Sequence, residues 1–183
     1  MKPVFQWPIA AVILTAAFFL LDALWIPAKA EVAQVLLEFA WQRTLDGERE
    51  TRPWPWADTR PVGILEAPRL GIRQIVLEGA SGRNLAFGPT ALVPVSGADI
   101  VLSGHRDTHF SFLEELETGD ILQLTTLRGI LEFRISWLEV VDSRDRSLVL
   151  ETGMQRLTLL TCFPFDAPAA GGPLRYVVTA VRI

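Results

Sequence analysis

Leu131-Glu132-Phe133-Arg134-Ile135-Ser136-Trp137 is the stretch that decides the fold. Apolar side chains at 131, 133, 135 and 137 alternate with polar ones between them, the period of two expected of a strand with one buried face. Outward from it, runs of similar character recur at Gly63–Glu66, Arg73–Leu77, Asp99–Leu102, Ile121–Thr126, Ser147–Glu151, Arg156–Cys162 and Arg175–Arg182. Turn-forming residues separate them, among them Ser96-Gly97, Gly119-Asp120, Arg128-Gly129 and Gly171-Gly172-Pro173. The pairs flanking 121–126 suit hairpin turns. Within 62–183 only Phe110–Glu117 has helical spacing, with Phe110, Leu113 and Leu116 on one side. Many short strands without alternating helices predict a mainly β domain over 62–183, a barrel or sandwich rather than a parallel sheet.

Composition narrows the function. The chain has 183 residues, 17 Lys+Arg against 21 Asp+Glu and a net charge of −4. That balance offers no basic face and argues against nucleic acid as a partner. A single cysteine excludes an intramolecular disulfide and a cysteine-based zinc site. The two histidines, His105 and His109, confine any histidine chemistry to one short segment. Five of the six tryptophans fall at or before Trp56, so the front of the chain differs in character from the rest.

From Pro3 to Leu21 no residue is charged, and apolar character continues past Asp22 to Ile26. Trp7 and Trp25 bracket this run; on a helix they would sit about 27 Å apart, close to a bilayer's hydrocarbon thickness. Tryptophans at both ends suit interfacial aromatic belts. Residues 1–27 therefore read as a retained, single-pass transmembrane anchor. The rival is a signal peptide cleaved near Ala28-Lys29-Ala30, but the apolar run exceeds the ~7–15 residues usual for one. Lys2 favours a cytoplasmic N-terminus with the domain outside, against Lys29 and Arg43 beyond the run. Val32, Val35, Leu36, Phe39 and Ala40 give 28–43 the spacing of an amphipathic helix leaving the membrane. Prolines within 45–61, including Arg52-Pro53-Trp54-Pro55-Trp56, mark a linker whose tryptophans rest either on the domain or on lipid headgroups.

Three residues carry the candidate chemistry. His105 follows the run Ile100-Val101-Leu102-Ser103-Gly104, Cys162 ends Thr158-Leu159-Leu160-Thr161, and Arg175 begins the final run. If 156–162 and 175–182 pair antiparallel, Cys162 and Arg175 share one edge, with 163–174 as a wall of turns. A cysteine supplies a nucleophile, a histidine moves its proton, and a guanidinium presents fixed donors to an oxyanion or carbonyl. Taken singly, each has an ordinary reading: a small buried hydrophobe, a loop histidine, a strand-edge charge.

Together the motifs resemble those of the sortases, membrane-anchored cysteine transpeptidases. Thr158-Leu159-Leu160-Thr161-Cys162 is similar to the family's TLxTC signature. Leu102-Ser103-Gly104-His105-Arg106-Asp107-Thr108 resembles its histidine segment, and Leu174-Arg175-Tyr176-Val177-Val178 its arginine strand. The HRDT and TCxPF segments look most like the Gram-negative (class GN) sortases related to classes C, D and E. Gly88-Pro89-Thr90-Ala91-Leu92 and Val95-Ser96-Gly97-Ala98-Asp99 depart from the pattern of many relatives, at a pocket wall that bears on substrate choice.

The resemblance implies a closed β-barrel of about eight strands with short helices, behind the N-terminal transmembrane helix. It implies that Cys162 attacks the Thr carbonyl of a C-terminal Leu-Pro-x-Thr-Gly-like signal on an exported protein, forming a thioester. His105 would protonate the departing glycine amine and deprotonate an incoming amine acceptor of the cell envelope. Arg175 would hold the peptide or the oxyanion, and Thr161, Thr158 and Ser103 would line the substrate site. No cofactor or metal is expected: Glu114, Glu115 and Glu117 read as a solvated helix face. His109 reads as structural, and Asp107 as the loop partner of Arg106. The implied location is the cytoplasmic (inner) membrane, with the domain on the periplasmic or outer side, where tethering would concentrate the enzyme near membrane-held substrates.

Three rivals follow. An L,D-transpeptidase would carry His-Gly before its cysteine, where this chain has Leu160-Thr161. A cysteine peptidase would release the product to water. A tethered β-domain would bind a partner with Cys162 incidental.

Overall fold

The computed structural model describes residues 6–48, 51–79, 81–145, 155–168 and 171–183; within the first helix, side chains are described at 10–16, 19, 25 and from 29 onward. That helix, α1, runs from Gln6 to Leu45. Eight strands follow: β1 (Pro61–Ala67), β2 (Ile72–Glu78), β3 (Thr90–Ala91), β4 (Asp99–Ser103), β5 (Ile121–Thr126), β6 (Gly129–Asp142), β7 (Arg156–Cys162) and β8 (Leu174–Arg182). They form a closed barrel in the order β1-β2-β3-β4-β7-β8-β6-β5. Of the two architectures open from periodicity, closure selects the barrel.

Alternation fills the barrel. Ile100 and Leu102, Leu157 and Leu159, Val178 and Ala180, Phe133 and Ile135, and Leu122 and Leu124 point inward and are buried. Phe110, Phe112, Leu113 and Leu116 plug the core from a 3-10 turn at Ser111–Glu115, shorter than the helix expected over 110–117. The alternation in β6 breaks after Ile135. A register shift between Ile135 and Trp137 turns Trp137 outward, 67% exposed, and hands the inward position to Leu138. Such a bulge re-aims every residue after it, which corrects the inward place the period of two assigned to Trp137. The run expected at Ser147–Glu151 lies outside the described residues. β3 has only two residues, too few for any periodicity.

At Gly63 a Cβ would stand 2.7 Å from the Thr125 carbonyl oxygen. Gly63 lies just before the first β1–β5 pair, Ile64↔Thr125, so the β1–β5 seam needs glycine there.

α1 is one helix through the boundary expected near residue 27. Its C-terminal half lies on the barrel, but through Ala33, Leu37, Ala40 and Trp41, all buried. The expected stripe is thus partly overturned: Ala40 packs, whereas Val32, Val35 and Phe39 are more than half exposed. Leu37 meets Ile75 and Leu77, Gln34 Nε2 donates to the Phe87 carbonyl at 2.7 Å, and Arg73 donates to both Glu38 oxygens. That pairing is chiefly what lowers the Glu38 pKa. Because Glu38 meets β2 near its start while Thr44 and Leu45 line the same cavity as Glu78 and Gly79 at its far end, α1 and β2 run broadly the same way. β2 lies antiparallel to β4, through Leu77↔Thr90 and Thr90↔Ser103. The N-terminal part of α1 therefore leaves the barrel at the end where β4 and β7 finish.

The segment expected as a linker is wrapped onto the domain. Thr51, Ala57 and Thr59 are buried, Thr59 Oγ1 donates to the Glu78 carbonyl, and Trp54 packs edge-on against Phe87 at 5.0 Å. Trp56 stays 82% exposed. Among the described residues no helix is long and apolar enough to cross a membrane. Residues 10–16 are nevertheless exposed around the whole circumference of α1, and Lys29 Nζ stands 4.6 Å from the Trp25 ring centre.

Candidate active site

β7 sits between β4, its parallel neighbour, and β8, its antiparallel neighbour. Ser103 pairs with Leu160 and Gly104 N–H donates to the Leu160 carbonyl, so His105 leaves β4 at the end where Cys162 finishes β7. On the other side Cys162 and Arg175 are direct partners. Alternation gives Cys162 and Arg175 one parity, opposite to that of Leu159 and Val178 in the core. Cys162 and Arg175 thus begin an outer row at one end of the barrel, and His105 joins it from just beyond the end of β4. His105 is exposed, Cys162 is half-buried with a free thiol, and Arg175 is half-buried.

The backbone turns after His105, whose carbonyl accepts from the N–H groups of Thr108 and Phe110. A Cβ on Gly104 would meet the Phe110 ring at 2.6 Å, so the ring lies directly against the glycine. Gly104 N–H donates to the Leu160 carbonyl at 3.2 Å, and Thr161 Oγ1 donates to the Gly104 carbonyl at 2.7 Å. Thr161 is buried, and its hydroxyl works as a joint between β7 and the histidine turn rather than facing the outer row. Thr158 shares the parity of Cys162 but is 5% exposed. Ser103, half-buried beside Leu160, is the most accessible of the three residues expected to line the substrate site.

Arg175 Nη1 donates to the carbonyls of Gly172 and Leu174, each at 2.8 Å, which holds the guanidinium against its own loop. Nearby, the Asp142 carboxyl is held down to about 2, first by hydrogen bonding from Arg144 and, further down the order, by the charge of Arg175. The site therefore keeps an ionised carboxylate beside its arginine at any ordinary pH. His109 is half-buried, with Nδ1 3.2 Å from Gln74 Oε1. Burial, with a smaller contribution from the nearby His105, lowers its pKa below the usual imidazole value. A histidine held neutral against the barrel wall suits the structural role expected of it.

After Cys162 the chain is held by aromatic rings. Phe163 stacks on Tyr176 at 6.1 Å, and Phe165 meets Tyr176 edge-on at 5.2 Å. Arg106, which the sequence presents as an ion-pair partner of Asp107, is 4% exposed and also donates to the carbonyls of Pro164 and Ala167. Neither this link nor the Gly104–Phe110 contact carries a motif of its own in the sequence. A cavity of about 920 Å³ lies at the other end of the barrel, lined by Leu45, Val62, Leu92, Val95 and Arg128 among others. His105, Cys162 and Arg175 take no part in it, so size alone would direct attention to the wrong end.

Gathered at one barrel end, a thiol, an imidazole and a guanidinium supply a nucleophile, a proton carrier and fixed hydrogen-bond donors, the groups that acyl transfer uses. The family pattern described as the sortase domain matches residues 65–183, and the chain belongs to the sortase family. It is 35% identical over 126 residues to sortase D of Bacillus subtilis (strain 168), covering 66% of this chain and 63% of that protein. It is 27% identical over 108 residues to sortase A of Listeria monocytogenes, covering 55% of this chain and 49% of that one. The chain thus spans under two thirds of either relative. Among solved structures, sortase C of Streptococcus pneumoniae superposes with a TM-score of 0.60 at 25% identity, covering 67% of this chain and 66% of that one. Sortase A of Corynebacterium diphtheriae reaches 0.62 over 82% of this chain and 84% of that one; at 20% identity this likeness is one of fold.

Proposed function

We propose that this chain is a membrane-anchored cysteine transpeptidase. In this reading Cys162 attacks the Thr carbonyl of a C-terminal Leu-Pro-x-Thr-Gly-like signal, forming a thioester as the C–N bond breaks. His105 gives its proton to the departing glycine amine. An incoming amine of the cell envelope then loses a proton to His105 and displaces the thiol, making a new amide and restoring both groups. Arg175 turns from the Gly172 and Leu174 carbonyls to the oxyanion or the sorting peptide. The observation that carries the reading is the strand order: Cys162 ends β7 as the direct partner of Arg175 on β8, and His105 follows two residues after the end of β4, the parallel neighbour on the other side.

The finer assignment is to the Gram-negative (class GN) type, supported by His105-Arg106-Asp107-Thr108 and Thr161-Cys162-Phe163-Pro164-Phe165. The anchor is residues 1–27, followed by 28–61 and a catalytic domain over 62–183. Its support is the uncharged run to Leu21 and the interfacial Trp25–Lys29 pair. The chain would cross the inner membrane once, with the domain on the periplasmic side. α1 then delivers the site end of the barrel toward the bilayer. Gln34, bonded to Phe87, is nine residues from Trp25, about 14 Å along a helix.

Intact-mass measurement tests the reaction. The full chain in detergent micelles, mixed with Leu-Pro-x-Thr-Gly-like peptides, should gain the peptide mass less its Gly-side fragment. The adduct should vanish in Cys162→Ala and form slowly in His105→Ala and Arg175→Ala. Folded protein with an alkylatable thiol but no adduct with any peptide would sink this reading.

A further inference from the structure

Arg106 follows the candidate acid/base, yet its side chain is only 3% exposed, whereas that of its ion-pair partner Asp107 is 65% exposed. A surface ion pair does not require a buried guanidinium, and burying one is costly unless its donors are met. Here Nε donates to Asp107 Oδ1 at 3.0 Å, Nη1 to the Pro164 carbonyl at 2.6 Å and Nη2 to the Ala167 carbonyl at 2.8 Å. Those carbonyls lie two and five residues after Cys162. One side chain thus ties the turn that carries His105 to the loop that follows the thiol, 58 and 61 residues along the chain. On the other side of the row, Thr161 Oγ1 ties β7 to the Gly104 carbonyl. His105 and Cys162 sit between these two links.

We propose that Arg106 is a positioning residue. It pins loop 163–168 against the histidine turn and so sets the placement of the Cys162 thiol relative to the His105 imidazole. Its consequence for rate rests on the transfer reading given above; the pinning itself does not. The planar fork matters more than the charge, since two carbonyls are held at once, and a lysine presents only a point charge on a flexible stem.

The test uses the full chain in detergent micelles, as wild type, Arg106→Ala and Arg106→Lys. Amide exchange in 163–168 should rise about tenfold or more in Arg106→Ala, and less in Arg106→Lys, while β5 exchange is unchanged. Acylation of Cys162 by a Leu-Pro-x-Thr-Gly-like peptide should slow by about 100-fold, the cost of misplacing a reacting group by about 1 Å, with a smaller change in KM. Guanidinium chloride at tens of millimolar (about 50 mM, far below denaturing levels) should restore acylation in Arg106→Ala, and equal sodium chloride should not. Unchanged exchange in 163–168 overturns the proposal. So does acylation within twofold of wild type, or a failure of both variants to fold, which would make Arg106 a residue of general stability. A wild type that forms no acyl-enzyme defeats the transfer reading instead, and the exchange result then decides the pin alone.

Discussion

Cys162 and Arg175 are direct partners across β7 and β8, 13 residues apart in sequence and joined by the loop the guanidinium currently grips. That loop is a rival acceptor for the same donors. Arg175→Lys keeps the charge and loses the fork, so acylation should fall by about 10²–10³. Iodoacetamide should still alkylate Cys162 at a near-normal rate. Equal loss in both assays would mean that the arginine maintains the fold of the edge.

Gly104→Ala inserts a methyl where the Phe110 ring stands at 2.6 Å. Either the ring leaves the core or the histidine turn shifts outward. We expect about 1–3 kcal/mol of destabilisation in urea, with acylation falling further than the lost folded fraction explains. Phe110→Leu in the same chain should recover part of both.

Burial holds the His109 pKa below the ordinary imidazole value of about 6.5. The unfolded chain therefore binds this proton more readily than the folded one. Linkage then makes stability rise with pH between the folded value and 6.5, and fall as the solution is acidified through that window. The urea midpoint should drop from pH 7.5 to pH 5.5, and His109→Gln should flatten that drop. An equal slope in both proteins would remove His109 as its source.

The second half of α1 behaves as part of the domain. Leu37 is fully buried against Ile75 and Leu77, and Trp41 is 1% exposed. Leu37→Ala should cost about 2–5 kcal/mol. A fragment beginning at residue 46 should unfold at markedly lower urea than one beginning at residue 29, and bind more of a hydrophobic dye. Matching midpoints would show that the packed half-helix adds nothing.

Much of the barrel was readable because strand and core share one cause. Leu157, Leu159, Phe133 and Ile135 alternate, and alternation is what a closed sheet buries. The row His105–Cys162–Arg175 was readable in part, since the end of 156–162 and the start of 175–182 must meet if they pair. What escaped depends on contacts distant in sequence. Two apolar stripes run along α1, and spacing alone does not choose between them. The stripe with Ala33 and Ala40 packs because small residues let the helix approach the barrel, leaving Val32, Val35 and Phe39 outside. Trp137 turned outward because one extra residue near Ser136 breaks the period. Arg106 looks like any solvated loop cation until the loop after Cys162 folds over it.

β8 lies between β7 and β6, and without it the ring stays open between them. The thiol on β7 is made in the chain before the segment that supplies its arginine and seals the wall behind it. A chain clipped ahead of residue 174 would retain cysteine and histidine but neither the guanidinium nor the closed cylinder. Such a product would display a nucleophile with nothing to direct it. In this architecture the power to react is conferred last, by the strand that completes the ring.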